Sequence, residues 1–305
     1  MTTTAPGAAV VAATALSGCG AATLTAAETG EAVPVVHART AAGVVVLLAS
    51  REGVEALGLD PDGWGGTADD AVAELSVVVE APLPDLTVPR AHVVVQGWVS
   101  LLPHERLVEA VGAVCALGDL AELRGQWPDG RLLLLDPAAA RLHWAEGCAE
   151  LPVEDLVAAT ADPVTLREAE VLARVEAELG DRLVDLVRAM GHAHPAPGAR
   201  PSAEDASRDL GSVVEVRCVG ADRTGMVLRC RSERPWVAVA DGCGGRRDGA
   251  ACAPGCEAST TATLRLLFPS PVADAAAAVD ALALLVVGAT SGAAACCPYA
   301  PGRRS

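Results

Sequence analysis

The chain predicts an α+β protein, with a mostly β N-terminal half that closes into a compact barrel and a smaller C-terminal unit built as helix, antiparallel sheet, helix. Three observations carry this prediction. Short apolar runs separated by Gly-containing turns fill residues 21–151 with only small helical segments between them. One long amphipathic pattern, Thr165 to Met190, divides the chain. Strand signals then resume before a final apolar helical stretch. The expected domains are residues 1–160 and 161–305, with a Gly/Cys-rich insert at 241–258.

The first element is a helix over Ala8–Leu16. Ala21–Thr25, Ala32–Thr40 and Val44–Ala49 read as an antiparallel meander turned at Thr29-Gly30 and Ala42-Gly43. Gly53–Leu59 makes a helical turn, and the polar stretch Asp60–Asp70 a loop. Strands follow at Glu74–Glu80 and Ala91–Leu102. Pro103-His104 leads into a helix over Glu105–Leu117. Leu132–Leu135, Arg141–Trp144 and Ala149–Leu151 are three short late strands, and Val153–Ala159 a brief helix. In the central helix, Leu166, Leu172, Val175, Leu179, Leu183, Leu186, Val187 and Met190 recur at three- and four-residue spacing and form one apolar stripe. Thr165 and Glu168 have capping-box spacing, Gly191 offers a stop, and Gly180 could kink the middle. Residues 191–211 form an exposed connection. Val213–Val219, Met226–Arg231, Trp236–Ala240 and Thr260–Phe268 then predict four strands, and Val272–Val287 the closing helix.

A net charge of −16 with a pI near 4.7 repels phosphate backbones and anionic membranes, which argues against nucleic-acid binding. All 23 basic residues are Arg, so chemistry that needs a Lys amine, such as a Walker-A loop or a Schiff base, is excluded. Aromatics are only 2% of the chain, so Val, Leu and Ala must fill the cores, and modest stability is expected. Leu16-Ser17-Gly18-Cys19 resembles a lipoprotein cleavage box, but no positive charge precedes it, and a first helix is the preferred reading. Ala281–Cys297 is uncharged, yet Gly and Ser interrupt it, so no membrane span is expected.

His192 and His194 form a His-x-His pair just past the central helix and could ligate haem iron or a metal; the competing reading is a solvated loop. His37 and His92 fall in strands as hydrogen-bonded barrel histidines, and His143 beside Trp144 reads as packing. Cys243, Cys252 and Cys256 lack paired Cys-x-x-Cys knuckles, so the insert's thiols read as incidental. Cys218 and Cys230 flank a turn and are expected as thiols. No nucleophile elbow or other catalytic motif occurs, so the residues alone identify no catalyst.

The element order, together with Leu132–Trp144 (LLLLDPAAARLHW), Leu166–Leu186, Gly225–Arg229 (GMVLR) and Leu266–Val272 (LLFPSPV), resembles the haem-iron-utilisation family. That resemblance implies an FMN-binding split barrel like that of pyridoxamine 5'-phosphate oxidase, followed by a small α/β domain of unknown function 2470. It also implies a cytoplasmic homodimer with a tetrapyrrole or flavin ligand between barrel and C-terminal domain. Relatives include haem-degrading oxygenases, flavin-binding barrels, and a plant adaptor that binds glutamyl-tRNA reductase. Three functions follow: a haem- or flavin-related binding protein with catalysis lost, a non-enzymatic adaptor, or a flavin-dependent oxidoreductase. Two departures weigh on the choice. Where many members carry histidines in the central helix, this chain has Arg174 and Leu179, neither of which can ligate iron. Where flavin-binding relatives hold phosphate after the third strand with Ser/Thr and basic residues, this chain offers Ser50 and Arg51, followed by Glu52. The cofactor therefore stays open, with haem possible and FMN the less favoured.

Overall fold

The computed structural model describes residues 7–62, 70–115, 129–144, 147–192, 210–236 and 259–290. The chain divides into two compact units, Ala5–Asp162 and Pro163–Ser305.

The first unit opens with α1 (Ala8–Ala15) and the strands β1 (Ala21–Ala26), β2 (Ala32–Arg39) and β3 (Val45–Ala49). After α2 (Arg51–Ala56) come β4 (Asp70–Glu80), β5 (Pro89–Leu101), a 3-10 turn (His104–Arg106) and α3 (Leu107–Cys115). β6 (Arg131–Trp144), β7 (Gly147–Leu151) and α4 (Val153–Ala158) complete it. The strands run β3-β2-β1-β4-β5-β6, and β3 pairs again with β6, so six antiparallel strands close into a barrel with β7 attached to β6. Closure removes the sheet edges that an open meander would expose.

Strand alternation explains the filling. Leu24, Leu47, Leu75, Val77, Val93, Val95, Val99, Leu133 and Leu142 all point inward, with no exposure. The interior is a packed aliphatic core, capped by Ala12 and Ala15 of α1 and by Leu16 just after it. α3 covers part of the outside, packing Ala110 and Val114 on Ala38 and Val46. α4 is fastened by Arg39 of β2, whose guanidinium donates to the carbonyls of Leu156, Val157 and Ala159 at the helix C-terminus. Gly43, at φ +85°, turns beneath this contact, and a Cβ there would lie 2.4 Å from the Val157 oxygen.

One expectation is corrected in the barrel. The two short strands predicted at 132–135 and 141–144 are a single strand, β6, that runs through Pro137. Register shifts after Gln96, and Pro137 stands opposite Gly97 at this bulge, where a residue without an N–H is tolerated. Gly97 is required here because a Cβ would lie 2.1 Å from the Asp136 carbonyl oxygen.

The second unit begins with a 3-10 turn (Thr165–Arg167) that runs into α5 (Glu168–His192). The helix is continuous through Gly180 and passes the predicted stop at Gly191. Leu172, Val175, Leu179, Leu183, Leu186 and Val187 of the stripe are buried, while Leu166 and Met190 at its ends are exposed. The sheet has three antiparallel strands, β8 (Val213–Asp222), β9 (Gly225–Trp236) and β10 (Ser259–Leu267), in the order β10-β9-β8. The second strand expected here is longer than predicted, because β9 continues from Gly225 to Trp236, and residues 237–240 of the expected third strand lie outside the described residues. The last helix, α6 (Ala275–Thr290), starts three residues later than predicted, with Asp274 Oδ1 accepting from the Ala277 N–H at 2.9 Å.

A buried polar network fixes the β8–β9 turn. Thr165 Oγ1 donates to the Ala221 carbonyl and Glu168 Oε1 accepts from its N–H, so the residues with capping-box spacing tie the helix start to β8. Asp222 is buried and accepts from the N–H and hydroxyl of Thr224 and from Arg265 Nη2. Among the described residues, no helix is long and apolar enough to cross a membrane.

Candidate functional site

The first candidate lies where β3 leaves the barrel. Ser50 is the N-cap of α2, its Oγ accepting from the Gly53 N–H at 3.0 Å. Arg51 donates from Nη1 and Nη2 to both oxygens of Asp62, and its Nε lies 3.2 Å from Glu55 Oε1. Arg131, which β3–β6 pairing places beside Ala49, brings Nη2 to 3.7 Å from the same Asp62 and donates from Nε to the Pro61 carbonyl. The hydrogen bond to Asp62 raises Arg51 above its ordinary range, and the reciprocal bond holds the Asp62 carboxyl below the usual carboxylate range.

The corner is thus balanced, two guanidinium groups against two carboxylates. A phosphate would meet an Arg whose fork is already filled by Asp62 and Glu55, and a Ser whose oxygen is engaged in capping. These residues do not fit a flavin phosphate without displacing carboxylates of like charge. Sequence reading singled out Ser50 and Arg51 but had no signal for Asp62, whose partnership depends on the path of the chain after α2.

The histidines separate into distinct environments. His192 is the last residue of α5; its side chain, and all of His194, lie outside the described residues. The Gly/Cys-rich insert at 241–258 lies outside them too. His37 is buried, with Nε2–H donating to the Ala15 carbonyl at 2.8 Å, and burial lowers its pKa so that the neutral ring is preferred. It is a barrel histidine, hydrogen-bonded as its strand position predicted. Arg174 and Leu179, where the sequence departs from the family it resembles, are both engaged within the fold. The first is paired with Glu178 at 3.0 Å and the second is buried in the helix stripe.

A further group was not anticipated. On the outer face of the barrel, strand register aligns Val78, His92, His143 and Cys148 across β4, β5, β6 and β7. The His92 and His143 rings stack with centroids 6.0 Å apart. Ser76 Oγ lies 2.8 Å from His92 Nε2, and Cys148 Sγ lies 3.7 Å from His143 Nε2. Packing rather than ligation was expected for His143; it lies on the outer face, alternating with the buried Leu142, and packs by stacking on His92. On the same face Val72 and Trp98 are cross-strand partners and are 51% and 47% exposed, an apolar pair left in solvent. Among the described residues, no three His, Cys, Asp or Glu side chains converge to hold a metal ion.

Neither a family model nor a curated protein matches the chain by sequence. Solved structures do match. A heme binding protein from Mycobacterium smegmatis is 21% identical, with a TM-score of 0.52, covering 96% of this chain and 100% of its own. A protein of unknown function from Agrobacterium tumefaciens is 15% identical over 94% of this chain and 99% of its own, with a TM-score of 0.37. An FAD and heme binding protein from Mycobacterium smegmatis is 21% identical over 48% of this chain and 76% of its own, with a TM-score of 0.29. The first of these establishes a shared fold along nearly the whole chain; the other two add nothing to that conclusion.

Proposed function

We propose that this protein binds haem, as a cytoplasmic homodimer, through the end of α5 that carries His192 and His194, and that it has lost oxygenase chemistry. The observation that carries the reading is the fold shared from end to end with a heme binding protein. Three features of the chain support its details. The barrel interior is filled by aliphatic side chains, so a ligand has to sit outside it. The phosphate corner is occupied by the protein's own carboxylates, which favours haem over FMN and disfavours a flavin-dependent oxidoreductase. The positions where the resembled family carries helix histidines hold an ion-paired Arg174 and a core Leu179, so this reading takes its imidazole from the His-x-His pair at the end of the helix.

When bound, haem would be held by the imidazole nitrogen of His192 or His194 and would supply a redox-active iron. The chain's own part is to present that nitrogen from the end of a rigid helix, whose stripe anchors it to the small sheet. The test is an absorption titration with haem of the wild-type protein and of His192→Ala and His194→Ala. A Soret band that saturates and shifts in one variant supports the reading; spectra that match free haem throughout refute it.

The exposed pair Val72 and Trp98 favours a second reading, a non-enzymatic adaptor resembling the glutamyl-tRNA reductase-binding protein. A pull-down in which Trp98→Ser loses a partner retained by wild type supports that role, and one that recovers no specific partner removes it.

A further inference from the structure

The geometry points to Cys148 as a thiol–disulfide exchange site for small disulfides, with His143 as the acceptor of its proton. The two residues are direct partners in the β6–β7 ladder, and Sγ stands 3.7 Å from Nε2, within hydrogen-bonding reach for sulfur. The imidazole is held from its other side by the stacked His92, itself fixed at 2.8 Å by Ser76 Oγ. Cys148 is exposed, and among the described residues its strand pairs only with β6, so a small molecule can reach the sulfur. Arg141 lies on the same face two residues before His143, bonded to Glu150 at 2.7 Å, and places a cation near the thiol.

The other described cysteines lack this combination. Cys218 and Cys230 are buried in the small sheet, and Cys19 and Cys115 are half-buried. A metal is a poorer occupant of the pair, since no third ligand converges on it among the described residues.

The chemistry follows from the pair. A thiol attacks as its thiolate, which is a few per cent of a free cysteine at neutral pH. In the tautomer that carries its proton on Nδ1, His143 Nε2 takes the Sγ proton. The Cys148 sulfur then attacks one sulfur of a disulfide RSSR, a new S–S bond forms to the protein, and the old S–S bond breaks. The leaving RS⁻ takes the proton held on His143 and departs as RSH. Cys148 is oxidised to the mixed disulfide and RSSR is reduced to one thiol, so atoms and electrons balance.

The test uses the full chain with glutathione disulfide at pH 7, with each cysteine followed by peptide mass spectrometry in wild type and His143→Gln. Cys148 is expected to be modified before Cys19, Cys115, Cys218 and Cys230, and about tenfold more slowly in the variant, while Cys115 reacts equally in both. Equal Cys148 rates in the two proteins overturn the proposal. As a measurement that does not depend on the variant's folding, wild type in denaturing urea should lose the advantage of Cys148 over Cys115. An advantage that persists there would assign the reactivity to local sequence and also overturn it.

Discussion

Replacing Asp222 with Asn tests whether the buried network at the β8–β9 turn holds the second unit together. The carboxylate side chain is 6% exposed and that of Arg265 is 28% exposed. Asn keeps an oxygen for the N–H and hydroxyl of Thr224, but then turns its amide NH2 toward Arg265 Nη2, donor against donor. The lost charge-assisted bond is worth about 1.5–3 kcal/mol. Full breakage of a buried pair would cost about 3–5 kcal/mol, but Arg265 keeps a 2.8 Å bond to Thr224 Oγ1 and some access to water. Its Nε has no hydrogen-bond partner among the described residues, so Thr224 alone anchors the guanidinium poorly. A loss of about 2 kcal/mol results, which lowers a urea midpoint by roughly 0.7–1 M at an ordinary slope. Urea unfolding followed by circular dichroism reads the global loss, and hydrogen exchange at Ala221 and Thr224 reads it locally. Arg265→Met and the double variant complete a cycle whose interaction energy should be about 1.5–2 kcal/mol. A shift below about 0.5 kcal/mol, or strict additivity, would refute the assignment of Asp222 and Arg265 as a stabilising pair.

Three further outcomes are expected. Gly97→Ala should lower stability by about 2–3 kcal/mol, because its methyl would meet the Asp136 carbonyl at the β5–β6 bulge, and thermal unfolding checks it. Gly180→Ala should raise stability by about 1 kcal/mol, since α5 is continuous there and the new Cβ would meet the Glu176 carboxylate at an ordinary contact distance of 3.6 Å; chemical denaturation reads this gain. His37 has a folded-state pKa below its ordinary 6.5, so the unfolded chain binds the extra proton first as pH falls. Its contribution is complete above pH 6.5, declines as pH drops below that value, and should disappear from the pH–stability curve in His37→Gln.

The elements that local pattern specifies were legible in the sequence. α1 and β1 to β3 fall within a residue or two of their predicted bounds, because period-2 alternation and glycine turns are written side by side there. β6 was misread because Pro137 suggests a break, and only its pairing with Gly97 reveals a tolerated bulge. The end of β9 was placed too early for a similar reason, since Pro235 looks like a boundary. The sites were less legible. Arg51 meets Asp62 through the course of a loop, and His92, His143 and Cys148 meet through the register of three strands. Neither arrangement leaves a motif of fixed spacing in the chain. Arg174 and Leu179 are the reverse case, because their chemistry alone rules out iron ligation and the structure supplies an ion pair and a core contact in its place.

The most direct test of the haem reading is the absorption spectrum of the purified protein during titration with haem, in wild type and in the His192→Ala and His194→Ala variants. The account predicts a Soret band that saturates at one equivalent per chain and moves when the ligating histidine is removed. A spectrum that follows free haem at every ratio, identical in all three proteins, would contradict it.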